Sequence, residues 1–296
     1  MFSHIPVLAK EVLDCLELKN GMAVLDCTVG AGGHAESILR KIGRSGRLIG
    51  IDRDDEVLRE AAQRLNGISD RFKLFHSNYE DMDMILKAQK LQKVDGILLD
   101  LGPSSFQMDS PERGFSIRLN GPLDMRMDRS EKTIKASDII NGYGRPELIS
   151  LFRTCGDEYF AARIADRIIM ERRKRPIEDT GRLSGIIKSA VPYRYRFRRI
   201  HPATKVFMAL RITVNREIES LKAGLCKAVL FLRKSSRLCV ISFHSIEDRI
   251  IKNAFKDFAK LKNVKIITKK PIQPCEKEIS ENPRARSAKL RVIEKL

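Results

Sequence analysis

Three glycines within four positions, Gly30, Gly32 and Gly33, are the first residues whose spacing suggests chemistry. They follow a short apolar stretch and precede an amphipathic one, which predicts a turn between a strand and a helix. Such a turn presents backbone N–H groups and a helix N-terminus to a ligand that approaches closely. The alternative is a tight connection without a ligand. We favour a ligand, because a connection alone gives no obvious use to three glycines.

Three carboxylates, Asp26, Asp52 and Asp100, each follow an apolar stretch that is typical of a buried strand. In open α/β sheets, ligands lie at the carboxyl ends of the strands, so these side chains are expected to face one pocket. Each of them taken alone could equally be a turn or helix-cap residue. The three together predict an acidic ligand pocket in a protein whose net charge is +18.

The same residues also fit a dinucleotide fingerprint, since Gly30 and Gly32 are followed by Ala35 and, about 20 residues on, by Asp52. A carboxylate on a ribose suits NAD and any adenosyl ligand equally. Asp26, however, would lie beside the pyrophosphate of NAD. S-adenosylmethionine has ribose hydroxyls, an ammonium and a sulfonium but no phosphate, and it therefore fits this pattern better.

The elements that must position these residues alternate between strand and helix in the first third of the chain. This alternation predicts a mostly parallel, doubly wound α/β sheet with helices on both faces. The predicted strands are Met22–Asp26, Arg47–Ile51, Phe72–His76 and Val94–Leu99, and the predicted helices are Val7–Leu18, Glu36–Lys41, Glu56–Leu65 and Met82–Leu91.

The alternation stops at Gly102–Asp128, a stretch rich in Gly, Pro, Ser and Asp that predicts a long functional loop. An all-helical insertion is expected after it, and Thr204–Arg233 resumes helical periodicity in two pieces. The later strands are expected at Arg237–Phe243, Val264–Thr268 and Leu290–Glu294, the last two as antiparallel neighbours. Ser245 with Asp248 is expected to cap the intervening helix.

Composition limits the classes of function. Lys and Arg number 56 against 38 Asp and Glu, and so basic a surface attracts polyanions, with nucleic acid first among them. No apolar run approaches the roughly 20 residues of a membrane-spanning helix, and Met1–Ala9 is not typical of a signal peptide. The six scattered cysteines predict neither disulfides nor a metal site, so we expect a cytoplasmic protein with no bound metal.

The basic segment Tyr193–Arg199 alternates aromatic residues with arginine. If the segment is extended, its two sets of side chains fall on opposite sides. Arg194, Arg196 and Arg198 are then expected to contact RNA phosphates, while the rings stack on bases or pack inward. Further basic patches are expected at Arg172–Arg175 and Arg284–Arg291.

Motifs along nearly the whole chain resemble one family, the bacterial ribosomal RNA small-subunit methyltransferase H family, whose members methylate cytosine N4 of 16S RNA. The motifs are His4-Ile-Pro-Val-Leu8, Asp26-Cys-Thr-Val-Gly-Ala-Gly-Gly-His34, Asp95-Gly-Ile-Leu-Leu-Asp-Leu-Gly102, Arg113-Gly-Phe-Ser116, Pro122-Leu-Asp-Met-Arg-Met-Asp128, His201-Pro-Ala-Thr204, Ala209-Leu-Arg-Ile212, Val240-Ile-Ser-Phe-His-Ser245 and Asn282-Pro-Arg-Ala-Arg-Ser-Ala-Lys-Leu-Arg291. Tyr79, Lys205 and Met208 stand where the family usually has Phe, Arg and Gln.

The resemblance implies a Rossmann-like class I methyltransferase core with an inserted helical domain. We expect residues 1–112 to form the first part of the core, 113–212 the insertion that recognises RNA, and 213–296 the second part. The family's contacts to S-adenosylmethionine fall on Gly32, Gly33, His34, Asp52, Tyr79, Asp100 and Gln107.

The acceptor amine of cytosine is a weak nucleophile, because its lone pair is conjugated with the ring. By position after the fourth strand, Asp100, Ser104 and Ser105 are candidates to hold its hydrogens and help remove a proton. Arg113, Phe106 and Phe115 are candidates to hold a splayed-out base, although both phenylalanines could merely pack the loop. Arg126 is either a substrate contact or the partner of Asp124 or Asp128.

The resemblance implies small-subunit ribosomal RNA as the partner, within the 30S subunit, and leaves a monomer or a homodimer open. Two other functions stay under consideration. An NAD-dependent oxidoreductase is disfavoured by Asp26 and by the lack of a recognisable hydride site. An RNA-binding assembly factor with a vestigial pocket is disfavoured by the intact turn from Gly30 to His34.

Overall fold

The computed structural model describes residues 6–130 and 132–296, and contacts between residues group the chain into two units. The core unit comprises the residues up to Gly102 and those from Ile218 on, and the helical unit comprises Pro103–Glu217. The inserted unit is thus wider than the 113–212 expected from sequence. His4 and Ile5 of the first family motif, and most of Met1–Ala9, lie outside the described residues.

A seven-stranded sheet forms the centre of the core unit, in the order β3-β2-β1-β4-β5-β7-β6. All neighbouring strands are parallel except β7, which runs antiparallel to both β5 and β6. This is the mostly parallel, doubly wound α/β sheet that the sequence predicts, with the two final strands paired as expected. The strands are β1 Ala23–Asp26, β2 Arg47–Asp52, β3 Phe72–His76, β4 Val94–Asp100, β5 Leu232–Ser242, β6 Val264–Ile266 and β7 Lys289–Lys295.

Helices cover both faces of this sheet, which explains why its central strands are apolar on both sides. Successive residues of one strand enter different apolar layers: Leu25 of β1 packs in one layer and Val24 in the other. Leu99 and Leu98 of β4 divide in the same way. The helices of the core unit are α1 Ala9–Leu16, α2 Gly33–Ile42, α3 Asp55–Asn66, α4 Met82–Ala88, α11 Glu217–Phe231, α12 Ser245–Lys260 and α13 Glu276–Glu281.

The helical unit has an apolar core of its own, which includes Phe115, Phe152, Ile164, Leu183 and Leu210. Its helices are α5 Ser105–Asp109, α6 Ala136–Gly142, α7 Arg145–Thr154, α8 Ala161–Lys174, α9 Thr180–Ala190 and α10 Thr204–Val214. The region of this unit that follows Asp128 is therefore all-helical, as the sequence predicts. The stretch Gly102–Asp128, however, is not wholly irregular, because it contains α5 and a 3₁₀ turn at Pro111–Arg113.

Two local predictions are wrong. The residue that caps α12 is His244, whose Nδ1 accepts a hydrogen bond from the Glu247 amide at 3.4 Å, and not Ser245. The segment Tyr193–Arg199 is not extended: it begins with a 3₁₀ turn at Tyr193–Tyr195 and continues through bends. None of the helices among the described residues combines the length and apolarity needed to span a membrane.

Candidate active site

The turn after β1 is joined by hydrogen bonds to the ends of two neighbouring strands. The Gly30 amide donates to Oδ2 of Asp52 at 2.8 Å, at the end of β2. The Asp100 amide, at the end of β4, donates to Oγ1 of Thr28 at 2.6 Å. The Thr28 amide in turn donates to Oδ1 of Asp26 at 3.1 Å. The three carboxylates predicted from the strand ends therefore meet at one edge of the sheet.

Open space lies beside Gly30 rather than beside the other two glycines. Gly30 has a φ of +53°, and a Cβ there would meet nothing within 4 Å. A Cβ on Gly32, which has a φ of +84°, would lie 3.4 Å from the Cα of Ala61. A Cβ on Gly33 would lie 3.3 Å from Pro6. Gly32 and Gly33 therefore allow α2 to start close to its neighbours, while Gly30 leaves room for a ligand.

The carboxylates hold their protons more tightly than exposed carboxyls do. Burial raises the pKa of Asp26 to about 7 and the pKa of Asp52 to about 6. The pKa of Asp100 is raised well above its usual value by burial and then by the neighbouring charges of Asp26 and Glu247. Within the described part of the chain, Oδ2 of Asp26 and Oδ1 of Asp100 have no hydrogen-bond partner. Carboxyl groups are thus concentrated at this edge, and a cation bound beside them would favour their ionised forms.

These three carboxyl groups fit a cationic ligand that also carries hydroxyl groups. Oδ1 of Asp52 accepts from the Asp54 amide at 3.0 Å and Oδ2 from Gly30, which leaves further lone pairs for the hydroxyls of a ribose. Asp26 is fully buried, so it acts on a ligand through its field. This set of carboxylate acceptors fits S-adenosylmethionine and opposes the pyrophosphate of NAD.

His34, in the first turn of α2, is the nearest cationic candidate to Asp100. Its Nε2 lies 3.6 Å from Oδ2 of Asp100, and the imidazole is almost fully buried. The N-terminus of α2 adds partial positive charge at the same place. A protonated His34 would therefore interact electrostatically with the Asp100 carboxylate.

Tyr79 follows β3 and begins a 3₁₀ turn at Tyr79–Asp81. Its ring packs directly on Gly224 of α11, where a Cβ would lie 2.6 Å from the ring carbon Cδ2. The Asn78 side chain also donates to the Ser220 hydroxyl at 2.9 Å. Helix α11 therefore fixes the position of Tyr79 through Gly224 and Ser220. The sequence analysis did not identify either residue. A glycine in the middle of an apolar helix was the available signal.

In the helical unit, Ser104 and Gln107 form a reciprocal cap on α5. The Gln107 amide donates to Oγ of Ser104 at 3.2 Å, and the Ser104 amide donates to Oε1 of Gln107 at 3.0 Å. Ser105 and Phe106 are half-buried in the first turn of this helix. The cap accounts for the spacing of Ser104 and Gln107 without a ligand.

Arg113, Phe115 and Arg126 are engaged within the helical unit. Arg113 is 1% exposed, and its guanidinium donates to the carbonyls of Arg126 and Met127 at 3.1 and 2.8 Å. Arg126 forms a two-pronged ion pair with Asp124, at 2.7 and 2.9 Å. Phe115 belongs to the apolar core. Phe115 therefore packs the loop, and Arg126 is the partner of Asp124. Arg113 supports the loop through its bonds to two carbonyls.

The basic patches predicted from sequence contain structural residues as well as exposed ones. Arg196 donates to the carbonyls of Ser189 and Val191 at 2.9 and 3.1 Å. Arg172 donates to the carbonyls at Ile140 and Tyr143, and Arg291 forms an ion pair with Asp248. Arg194 and Arg198 are exposed.

Comparisons with known proteins identify the family of the chain. The sequence profile of the MraW methylase family matches residues 1–296. The ribosomal RNA small subunit methyltransferase H of Halothermothrix orenii is 44% identical over 311 aligned residues, covering 100% of this chain and 99% of the relative. The protein of the same name from Persephonella marina is 45% identical over 296 residues, covering 100% of both chains.

Among solved structures, an rRNA methylase from Streptococcus thermophilus matches 97% of this chain and 93% of its own, at 11% identity and a TM-score of 0.45. A likeness of that size carries no argument. The profile match and the two relatives each span the whole chain. The chain therefore belongs to the MraW methylase family.

Proposed function

We propose that this protein methylates the exocyclic N4 amine of a cytosine in the decoding region of small-subunit (16S) ribosomal RNA, with S-adenosylmethionine as methyl donor. Family membership and the relatives' names support a methyltransferase of small-subunit ribosomal RNA. The observation that carries the proposal is the meeting of Asp26, Asp52 and Asp100 around an open glycine turn. An acidic edge of this kind binds a sulfonium cofactor better than a phosphate-bearing one.

Each residue of the edge has a defined task. Asp52 accepts a ribose hydroxyl, because its oxygens keep lone-pair capacity beyond the backbone amides of Gly30, Arg53 and Asp54. Gly30 leaves the space that the ligand enters, and Tyr79 gives a flat ring for stacking. Gly32, Gly33, His34 and Gln107 complete the proposed cofactor contacts. When bound, the cofactor supplies an electrophilic methyl group on its sulfonium.

Asp100 is the proposed catalytic residue. Its Oδ1 has no hydrogen-bond partner within the described residues, so it can accept a hydrogen from the amine and favour a nitrogen with an available lone pair. Its raised pKa suits it to take up the proton that the amine must lose. Ser104 and Ser105 follow closely in sequence and supply further acceptors. Phe106, Arg194 and Arg198 are the proposed substrate contacts, whereas Arg113, Phe115, Arg126 and Arg196 support the segments that carry such contacts.

We test the role of Asp100 with Asp100→Asn, which keeps the side-chain shape and removes the charge. Transfer of labelled methyl to small-subunit RNA should fall by about 10²-fold or more, as expected for loss of a group that handles the proton. Cofactor affinity should also weaken. The matched control is Asp95→Asn, on the same strand, where the side chain accepts from the Ala23 amide and should leave turnover near normal. Near-normal turnover and affinity in Asp100→Asn would contradict the assignment.

Two further measurements address the substrate and the alternatives. Methylation of naked RNA and of assembled small subunits, followed by nucleoside analysis, tests N4-methylcytidine as product and the 30S subunit as substrate. Titration calorimetry with S-adenosylmethionine and with NAD separates the enzyme from an NAD-dependent oxidoreductase. An assembly factor with a vestigial pocket would bind neither.

A further inference from the structure

The region from Thr180 to Arg216 in the helical unit contains nine Lys and Arg residues and no Asp or Glu. The wider chain mixes acidic residues among its basic ones, so this absence is a local property. Its densest part is Tyr193–Arg199, where four arginines alternate with three aromatic residues. Positive charge without interspersed carboxylates is the electrostatic footprint of a polyanion-binding surface.

The turn at Tyr193–Tyr195 divides these side chains into an inner and an outer set. Tyr195 is half-buried, and its ring meets Phe160 edge-on at a centroid distance of 4.8 Å. Arg196 bonds to two carbonyls of its own unit. Tyr195 and Arg196 therefore anchor the segment.

The outer set consists of two rings and two arginines. Tyr193 is 73% exposed and Phe197 is 69% exposed, and their centroids lie 5.2 Å apart. The guanidinium of Arg198 lies 4.0 Å from the centroid of Tyr195, and that of Arg194 lies 5.1 Å from it. The anchored ring thus orders two exposed cations beside two exposed rings, and it reduces the entropy that each arginine would lose on binding.

Exposing two neighbouring rings costs free energy unless a partner covers them. Because arginines lie beside these rings, a matching partner must combine flat apolar faces with negative charge. Unpaired bases on a phosphate backbone provide both, whereas the bases of a duplex are already stacked on each other. A second copy of this chain is disfavoured, because it would bring like charge to the same surface.

We propose that Tyr193 and Phe197 are a stacking platform for two unpaired bases of the RNA, and that Arg194 and Arg198 bind the phosphates between them. This inference rests on the proposed function, because it says how the RNA substrate is held. The four residues contribute to RNA affinity and take no part in methyl transfer.

The test uses a short single-stranded RNA that contains 2-aminopurine, whose fluorescence is quenched by stacking. The chain has no tryptophan, so protein emission does not obscure the probe. Tyr193→Leu and Phe197→Leu remove a ring and keep an apolar side chain. Each should lower affinity about fivefold or more and relieve the quenching, in line with the value of base–aromatic stacking. Tyr193→Phe and Phe197→Tyr keep a ring and should bind and quench as the unchanged protein does.

An abasic RNA of the same length separates stacking from other causes. The leucine variants should bind it as tightly as the unchanged protein, whereas Arg194→Gln and Arg198→Gln should weaken binding of both RNAs alike. The proposal is overturned if the leucine variants weaken both RNAs equally, or weaken neither. It is also overturned if they abolish self-association in the absence of RNA, which would make the rings a protein interface.

A methylation assay keeps this proposal distinct from the proposed function. With saturating small-subunit substrate, the leucine variants should retain the maximal rate and raise the substrate concentration needed for half of it. A platform that binds RNA in a protein without N4-methylating activity would leave this inference standing and refute the proposed function. If the enzyme is active but the leucine variants bind RNA as the unchanged protein does, the stacking platform is refuted and the proposed function stands.

Discussion

Asp26 illustrates how a residue at this site acts without touching a ligand. It is fully buried, its Oδ1 accepts the Thr28 amide, and its charge raises the pKa of Asp100. Its own pKa, about 7, leaves it partly protonated near neutrality. A cation bound nearby would favour the ionised forms of all three carboxylates. We therefore expect cofactor binding at this edge to release protons.

This coupling predicts a pH-dependent cofactor affinity. Because the pKa of Asp52 is about 6 and that of Asp26 about 7, both carboxyls ionise as the pH rises through this range. Affinity for S-adenosylmethionine should therefore increase between about pH 5.5 and about pH 8, with uptake of cofactor releasing protons. Calorimetry in buffers of different ionisation enthalpy measures both effects, and Asp26→Asn should flatten the profile. Affinity that is independent of pH would contradict the prediction.

The same shifts affect stability without cofactor in the opposite direction. A carboxyl whose pKa is raised by folding binds more protons in the native than in the unfolded state between about pH 4 and about pH 7. The free energy of unfolding should thus fall as the pH rises through this window. Thermal unfolding across the window, with and without cofactor, checks the sign, because the bound cation should reduce the fall.

Asp26, Asp52 and Asp100 could be predicted from the sequence because each lies at the end of an apolar run, and parallel strands end at one edge. Thr28 could not, since its bond to the Asp100 amide joins residues 72 positions apart. Nor could the placement of Arg126 be settled, because Asp124 and Asp128 are equally near in sequence and only packing selects Asp124. Side-chain partners within a loop depend on tertiary packing, which cannot be predicted from the neighbouring residues in the sequence.

At the scale of elements, α11 determines the position of the Tyr79 ring, on which we propose that the cofactor stacks. Gly224 lets the Tyr79 ring approach the helix backbone, and Ser220 binds the cap residue of the same turn. The departure from the family's phenylalanine at Tyr79 changes the ring edge and leaves this packing in place. The helix therefore positions the Tyr79 ring by packing against it and by binding Asn78.

Gly224→Ala tests this support. The added methyl must displace the Tyr79 ring, so we expect cofactor affinity to fall about tenfold or more, with a loss of stability despite alanine's higher helix propensity. Gly185→Ala, in the middle of α9 where a Cβ meets nothing within 4 Å, is the matched control. It should raise stability by about 1 kcal/mol or less and leave affinity unchanged. Equal behaviour of the two variants would argue against the support by α11.

Element prediction succeeded where periodicity was long and failed where it was short. The strands and most helices follow from repeated apolar spacing, and the structure moves their ends by a few residues. The segment Tyr193–Arg199 has an alternation that is typical of a strand, yet it forms a turn because Arg196 and Tyr195 find partners in their own unit. Seven residues of alternation do not outweigh those tertiary contacts.

At the scale of the whole molecule, the acidic edge and the basic exterior divide the protein between a cationic cofactor and a polyanionic substrate. The net charge of +18 predicts steeply salt-dependent RNA binding, because phosphate contacts release counterions. Arg194→Gln and Arg198→Gln should each lower the slope of log affinity against log salt by about 0.7 for a single strand. Arg59→Gln removes an exposed arginine that pairs with Asp55 and is the control. Affinity that barely changes with salt would contradict the prediction.

The position of β7 in the sheet has a consequence for synthesis of the chain. β7 follows every other strand in sequence, but it lies between β5 and β6 and pairs with both. While the chain emerges from the ribosome, β5 must therefore keep one edge open until β7 has been made. An open edge of this kind invites pairing with other chains. The helical unit, which has its own apolar core and precedes β5, can fold during that interval, whereas the cofactor-binding sheet completes late and depends most on protection during biosynthesis.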